Sequence, residues 1–431
     1  MAARFTTLAD WLAWQESHHP SAIDLGLDRV REVAARMGIL NPKARVITIA
    51  GTNGKGSCVA TLESLLIAAG KRVGAYSSPH FLRYNERVRL QGQNSSDAAL
   101  CESFARIDTA RGDISLTYFE FGTLAAIDIF YRAELDYWVL EVGLGGRLDA
   151  VNIIDPSIAV ITSIAIDHEA WLGSDRETIG REKAGICRPK IPCVCADENP
   201  PQSIKDIVTS LNCETYWWQK DFGYQLAEGD SDDQAPESAV AFTRNNRFTT
   251  KAWQLPAPSV ASALQVLEIE GIIGDTLSAE QVLNCIEHVQ LTGRMQKITR
   301  GNQVYILDVA HNPAACELLA RNLLSQNLTA DGAKKPIVAV TAAMADKDIA
   351  GMYSPLKNFV SHWWCCDLAG NNRAATADKL KQDLMVLGVA RESINIAEGV
   401  ASALDAASEM DAVVVVFGSF FTVAAAFEAL A

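Results

Sequence analysis

The 431-residue chain carries a formal net charge of −14 and ten cysteines. Its length exceeds one ordinary hydrophobic core and predicts two or three domains. Its acidity argues against nucleic acid or an anionic membrane as partner and confines anion binding to local basic clusters. No CxxC pair occurs, Cys193-x-Cys195 and Cys365-Cys366 coming nearest, so a zinc knuckle and a disulfide framework are disfavoured and reduced thiols in a cytoplasmic protein are expected.

The first residues, with Asp10, Glu16 and His18-His19 close behind Trp11 and Trp14, lack the apolar core of a signal peptide, and the protein is expected to begin near Met1. Residues 5 to 40 have helical spacing, broken by His19-Pro20 and by the bend Asp24-Leu25-Gly26-Leu27. The β-branched run Val46 to Ala50 predicts a strand; a turn with glycines at 51, 54 and 56 follows, and Leu62, Leu65, Leu66 and Ala69 mark one face of the next helix. Strand, glycine loop and helix together make a phosphate cradle, in which curled backbone N–H groups and the helix N-terminus face an anion and Lys55 adds a mobile charge. The generic spacing places Ser or Thr directly after the lysine, whereas Gly56 intervenes here before Ser57.

Arg72 to Ser77 predicts a second strand, ending in the polar turn Ser77-Ser78-Pro79-His80 and a basic stretch that includes Arg83. A helix from Phe119 to Arg132, a strand from Tyr137 to Val142, the loop Gly143 to Asp149 and a strand from Ile158 to Ile164 continue the alternation. Such order predicts an α/β fold with a doubly wound, mostly parallel sheet whose ligands lie beyond the strands' carboxyl ends. From Cys193 to Leu255 the pattern reads as short strands elaborating the first domain, with the acidic stretch Glu228 to Ser238 as an exposed loop. Helices follow near Ser259 to Glu270 and Ser278 to His288. A hinge at Leu291-Thr292-Gly293-Arg294 then separates a first domain, residues 1–292, from a smaller α/β domain, residues 297–431, where the alternation starts afresh. The apolar tail Val413 to Ala431 is divided by Gly418-Ser419 and carries Glu428, so it reads as a buried strand and helix rather than an anchor.

Glu141, at the tip of an apolar strand, is placed to hold a magnesium ion bridging nucleotide phosphates. Ser78 and His168, in turns after neighbouring strands, would converge on the same edge, although hard cations prefer oxygen to imidazole. Composition alone reads Lys183, inside Ile179 to Ile186, as an exposed lysine of a charged helix. In the second domain Asp308 ends a strand and Ala310-His311-Asn312-Pro313 turns into a helix, again a ligand position.

GTNGKGS at 51–57, YSSPHFLRYNERV at 76–88, LTYFEFGT at 116–123, LEVGLGGRLDA at 140–150, SIAIDHEAWLG at 163–173, IGREKAGI at 179–186, LTGRMQ at 291–296 and DVAHNP at 308–313 together resemble the bacterial bifunctional dihydrofolate synthase/folylpolyglutamate synthase family, related to the Mur ligases. The resemblance covers nearly the whole chain. It implies a P-loop ATPase domain followed by a smaller C-terminal Rossmann-like domain, and an extra Gly56 that is normal. It further implies ATP contacts from Thr52, Asn53, Gly54, Lys55, Gly56, Ser57, Ser259, Arg294, Asp308 and His311, and metal binding by Ser78, Glu141, His168 and a carbamylated Lys183. Lys55, Lys183 and His168 become the catalytic set, served by two magnesium ions, with a monovalent cation as a further candidate cofactor. The pterin or folate is implied to lie against Asp24, Leu25, Gly26, Leu27, Arg83, Thr117, Tyr118, Phe119, Glu120, Leu148, Asp149 and Ala150.

Implied, too, is ATP-dependent joining of L-glutamate to dihydropteroate and to reduced folates through an acyl phosphate, by a cytoplasmic monomer with no nucleic-acid or membrane partner. The chain departs from the family at Val151, where Thr is usual, at Ser259, where Asn is expected, and at Phe421, where His is common. A Mur-type ligase acting on a nucleotide-linked sugar peptide is a rival, disfavoured by the LTYFE segment. A nucleotide-gated binding protein is another, disfavoured by intact Lys55, Glu141 and Lys183.

Overall fold

A strand buried from Val46 onward, Arg45–Ala50, sits inside an eight-stranded sheet of the computed structural model, which describes residues 3–226, 239–250, 255–325, 329–330 and 333–431. The stretch expected as an acidic loop, Glu228 to Ser238, lies outside the described residues. Residues 3–226 with 239–289 form one compact unit, and residues 290–431 make up the body of a second.

In the first unit the strand order is Gln93–Asn94, Val88–Leu90, Val73–Tyr76, Tyr137–Glu141, Arg45–Ala50, Ile158–Ile161, Pro192–Cys195 and Glu214–Trp217. All neighbours pair in parallel except the first two strands, which run as antiparallel edges. From Arg45–Ala50 the chain winds one way to Val73–Tyr76 and back to Tyr137–Glu141, and later strands wind the other way. This reversal opens a crevice at the carboxyl end of Arg45–Ala50, between the loops after Glu141 and Ile161.

Local chemistry sets the helices around that crevice. Helix Tyr118–Arg132 starts at a capping box in which Thr117 Oγ1 accepts from Glu120 N (3.1 Å) and Glu120 Oε2 accepts from Thr117 N (2.7 Å). Its buried Phe121, Leu124, Ala125 and Phe130 join Trp11, Phe104 and Trp138 in one core. Helix Ala257–Ile269 is buried on nearly every face because it packs on the helix that follows the glycine loop, Lys55–Ala68.

Two expectations need correction. The segment after Cys193 is not all elaboration: Pro192–Cys195, helix Gln202–Ser210 and Glu214–Trp217 extend the parallel sheet, and only Gly223–Leu226, Ala239–Phe242 and Arg247–Thr250 form a separate antiparallel sheet. Four-residue strands are too short for their periodicity to stand out. The second unit also has an edge strand, Gln296–Arg300, that the alternation passed over; its residues are exposed or half-buried, so no apolar run announces it.

That unit orders Gln296–Arg300, Gln303–Asp308, Val413–Phe417, Ile337–Thr341, Val360–Cys366 and Ile394–Ala397 in one sheet, parallel beyond the first pair. The apolar tail divides as expected into strand Val413–Phe417 and helix Phe420–Leu430. Gly418 makes the break, at φ +119 and pressed on the Ala342 carbonyl. Among the described residues no helix is long and apolar enough to cross a membrane.

Asp128, fully buried in helix Tyr118–Arg132, accepts from Ser103 Oγ (2.8 Å), Arg106 Nε (2.9 Å) and Arg132 Nε (2.8 Å). Both arginines reach solvent, so Asp128→Ala should cost the first unit about 2–3 kcal/mol, below the full penalty of stranding a buried charge. Urea unfolding followed by tryptophan fluorescence checks this, and an unchanged midpoint would contradict it.

Candidate active site

The glycine loop is set by close approach. Gly51 has φ +150 and a Cβ there would collide with Thr162 Oγ1; Gly54 has φ +87 and a Cβ there would lie 2.5 Å from Ser259 Oγ. Neither position admits a side chain without displacing a neighbour. Residues after Ile158–Ile161 clamp the loop: Thr162 Oγ1 donates to Asn53 O (2.7 Å), Asn53 N to Ser163 Oγ (3.1 Å), Thr52 N to Ser163 O (2.7 Å) and Thr52 Oγ1 to Ala165 O (3.1 Å). The helix starts at Lys55 with Gly54 as its N-cap, so the first-turn amides of Lys55, Gly56 and Ser57 form an anion-seeking end. Gly56 lies within that turn and is not among the positive-φ glycines, so the loop's curl rests on Gly51 and Gly54. Ser57 is 1% exposed and its hydroxyl has no hydrogen-bond partner among the described residues, an orphaned polar atom at the head of the cradle.

Lys183 contradicts its compositional reading. It is 4% exposed, and its Nζ donates to Gly51 O at 2.9 Å. Lys55 Nζ donates to the same carbonyl at 3.1 Å and to Thr52 O at 3.2 Å. Burial, and then the Lys55 charge, push Lys183 down to about 7, while Asp167 and Asp149 pull the other way. The lysine's helix, Arg176–Ala184, is buried on this side because glycine lets a loop come close: a Cβ on Gly146 would sit 2.9 Å from Glu182 O and 3.0 Å from Lys183 O. Arg147 N donates to Glu182 O (2.8 Å) and Asn152 Nδ2 to Gly185 O (3.1 Å), locking loop and helix together.

Glu141 is buried and accepts from Ser78 N at 3.3 Å. These two residues expected as metal ligands are thus neighbours through the Ser78 backbone N–H. His168 is placed differently: it is in the left-handed region at φ 54, its side chain is 47% exposed, and its backbone N–H donates to Asp167 Oδ1 at 2.8 Å. Among the described residues no three His, Cys, Asp or Glu side chains gather into a metal cage. Magnesium keeps its waters and takes one or two carboxylates plus substrate phosphates, and the Glu141 carboxylate and the Ser57 hydroxyl are hard oxygens of the kind it prefers.

The segments expected to hold the pterin are joined by a residue the sequence reading missed. Arg29 Nη1 lies 2.7 Å from Asp24 Oδ2, and its Nη2 donates to Asp24 O (3.0 Å) and to Glu120 Oε1 (3.1 Å). The bend Asp24 to Leu27 is thereby tied to the Thr117-Glu120 box. Phe119 is half-buried and lies so near Gly143 that a Cβ there would run into its ring; Arg87 covers the Tyr118 ring, its Cζ 5.5 Å from the centroid. Asp149 organises its own loop, accepting from Leu144 N (2.9 Å) and Val151 N (3.0 Å), and burial pushes it up to about 6. Leu148 is half-buried beside it and Ala150 belongs to the core. Arg83 is exposed and pairs with Asp97 at 3.4 Å. Ser259 is buried and donates to Gly54 O at 3.0 Å, so its hydroxyl serves the loop.

The second unit has its own strand-end cluster. Asp308 accepts from Met295 N (2.9 Å) and Ala310 N (2.8 Å), and lies 4.0 Å from Arg294 Nη1. Burial raises its pKa. The Arg294 guanidinium lies 5.5 Å from the centre of the Phe420 ring, and the His311 ring packs 6.1 Å from the same side chain. Sequence reasoning also missed Thr162 and Ser163 as loop clamps; hydroxyl residues directly after a buried strand were the available signal.

Replacing Gly51 by alanine forces a β-carbon against Thr162 and strains the backbone. Nucleotide affinity measured by calorimetry should fall at least about tenfold, the equivalent of ~1.4 kcal/mol. Undiminished affinity would contradict the cradle.

Residues 293–420 match the model of the Mur ligase, glutamate ligase domain. The chain is 44% identical to the dihydrofolate synthase/folylpolyglutamate synthase of Escherichia coli strain K12, over 98% of this chain and 95% of that protein. Among solved structures it is similar to E. coli FolC in complex with DHPP and ADP, at 42% identity and a TM-score of 0.88, covering 100% of this chain and 99% of that one. It is likewise similar to a bifunctional folylpolyglutamate synthase/dihydrofolate synthase with Mn, AMPPNP and L-glutamate bound, at 42% identity and a TM-score of 0.87, covering 100% and 99%. With its glycine loop, two-unit α/β build and full-length likeness, the chain belongs to the dihydrofolate synthase/folylpolyglutamate synthase family.

Proposed function

We propose that the chain is an ATP-dependent ligase that joins L-glutamate to dihydropteroate, giving dihydrofolate, and to reduced folates, giving polyglutamates. The observation that carries this reading is the meeting of Lys55 and the buried Lys183 at the Gly51 carbonyl, in the same cradle as the unpartnered Ser57 hydroxyl. The substrates bound in the similar structures support the choice of reactants.

The amides of Lys55, Gly56 and Ser57 hold the nucleotide phosphates with Thr52, Asn53 and Gly54, and Lys55 exchanges its backbone carbonyls for the phosphoryl group being transferred. The substrate carboxylate attacks the γ-phosphate to give an acyl phosphate and ADP. The glutamate amine then adds to the acyl carbon, phosphate leaves, and the amine's proton passes to solvent or base. Ser57, Ser78, Glu141 and His168 would hold magnesium, two ions in all, which when bound supply charge neutralisation at the phosphates. Lys183, whose amine is partly neutral near pH 7, first gives up its ammonium proton, and the neutral amine then adds to carbon dioxide and releases a second proton to leave a carbamate. That anion removes the repulsion between two neighbouring lysines and gives the site a further oxygen ligand.

Thr117, Tyr118, Phe119 and Glu120 with the Asp24 to Leu27 bend, Leu148, Asp149 and Ala150 receive the pterin, Phe119 offering a stacking face. Arg294, Asp308 and His311 are taken as further ATP-binding residues. We further take the enzyme to be a cytoplasmic monomer working on small molecules, in keeping with its net charge of −14.

Phosphate release by the purified protein should require ATP, a divalent ion, glutamate and either dihydropteroate or a reduced folate. Lys55→Ala should lower kcat by about 10²–10³, the loss typical of removing one transition-state donor. Release without glutamate, or full turnover in the variant, would overturn the reading; reduced folates alone as substrates would leave a folylpolyglutamate synthase only.

A further inference from the structure

We infer that Arg29 is a positioning residue that sets the affinity for the pterin substrate, by holding two separate chain segments in the geometry that receives it. The inference rests on the site reading above and extends it to a residue outside the binding segments. Arg29 is the second residue of the helix Asp28–Met37, two residues after the bend. Its guanidinium makes three contacts: with the Asp24 carboxylate (2.7 Å), with the Asp24 carbonyl (3.0 Å) and with Glu120 Oε1 (3.1 Å). Glu120 is buried and divides its carboxylate, one oxygen capping the helix at Thr117 N and the other meeting Arg29.

The arrangement exceeds what helix capping requires. A capping box uses a single acceptor at its third position, which a glutamine supplies as well; the second oxygen joins positions 91 residues apart. Asp24 also has His19 Nε2 at 3.5 Å, so the bend is restrained from two sides. Arg29 suits the task because its rigid planar fork meets two acceptors at once, whereas an ammonium is a point charge on a flexible stem. Without Arg29, the buried Glu120 carboxylate loses its counter-charge and the bend its tether to the capping box. The nucleotide cradle, on the glycine loop, shares none of these hydrogen bonds.

Steady-state kinetics of Arg29→Met, Arg29→Lys and Glu120→Gln, with dihydropteroate, a reduced folate and ATP each varied, tests this. Arg29→Met should raise KM for both pterin substrates at least tenfold, with kcat and the KM for ATP within threefold of wild type. Arg29→Lys should recover part of the loss, since lysine reaches one partner at a time. Glu120→Gln, which keeps the cap but loses the ion pair, should reproduce the pterin effect, and calorimetric binding of a nucleotide analogue reports that each variant is folded. Unchanged pterin KM in both Arg29→Met and Glu120→Gln would overturn the inference, as would an equal rise in the KM for ATP. Wild-type protein that uses neither pterin substrate would instead overturn the underlying site reading.

Discussion

Two lysine amines share one backbone carbonyl, and much of the first unit serves to bring them there. Lys55 reaches Gly51 O from the start of its helix, and Lys183 reaches it from a helix 132 residues later in the sequence. Two ammonium groups in a buried site repel, and the protein relieves the repulsion by leaving Lys183 poised near neutrality. The cradle therefore brings together two lysine amines, of which the buried Lys183 holds its proton more weakly than an ordinary lysine. Phosphoryl transfer needs such an arrangement, with fixed donors where charge develops and few groups that must reorganise.

The constraint explains why glycine occurs where it does. Gly51 and Gly54 have no room for a β-carbon against Thr162 and Ser259, and Gly146 has none against the carbonyls of Glu182 and Lys183. In each case backbone approaches backbone or a short hydroxyl, so loops after three different strands pack into one crevice. Ser259 spends its hydroxyl on Gly54 O and thereby steadies the loop from the helix packed behind it. That use accounts for a small hydroxyl residue at this position, where a Cβ on Gly54 would already lie 2.5 Å from Ser259 Oγ.

Much of this was legible in the sequence, for identifiable reasons. Val46 to Ala50 and Val413 to Phe417 are short runs dense in β-branched residues, and the Gly-x-x-Gly-Lys turn follows the first at once, so strand, loop and helix were all apparent. Thr117 and Glu120 stand at capping-box spacing, a helix-start signal that the sequence carries one residue ahead of the expected Phe119. Pro192–Cys195 and Glu214–Trp217 were hidden because four residues give no usable period, and Gln296–Arg300 because an exposed edge strand needs no apolar face. The burial of Lys183 could not be read locally: Arg176, Glu177, Arg181 and Glu182 make its helix look solvated, and only packing against the Gly146 loop buries the lysine. Arg29 was missed for the same reason, since its role exists only once Glu120 is brought beside it. His168, singled out by its turn after a strand, has an exposed side chain.

The central claim is that Lys183 acts as an amine that captures carbon dioxide. It is tested most directly by carbon-13 NMR of the protein equilibrated with labelled bicarbonate across the pH range around the lysine's value of about 7. Because that value lies below the ordinary lysine range, free amine accumulates as pH rises through it, and a carbamate resonance should grow over the same interval in the wild-type protein and be absent from Lys183→Ala. No Lys183-dependent resonance above that pH, with magnesium and nucleotide present, would contradict the account.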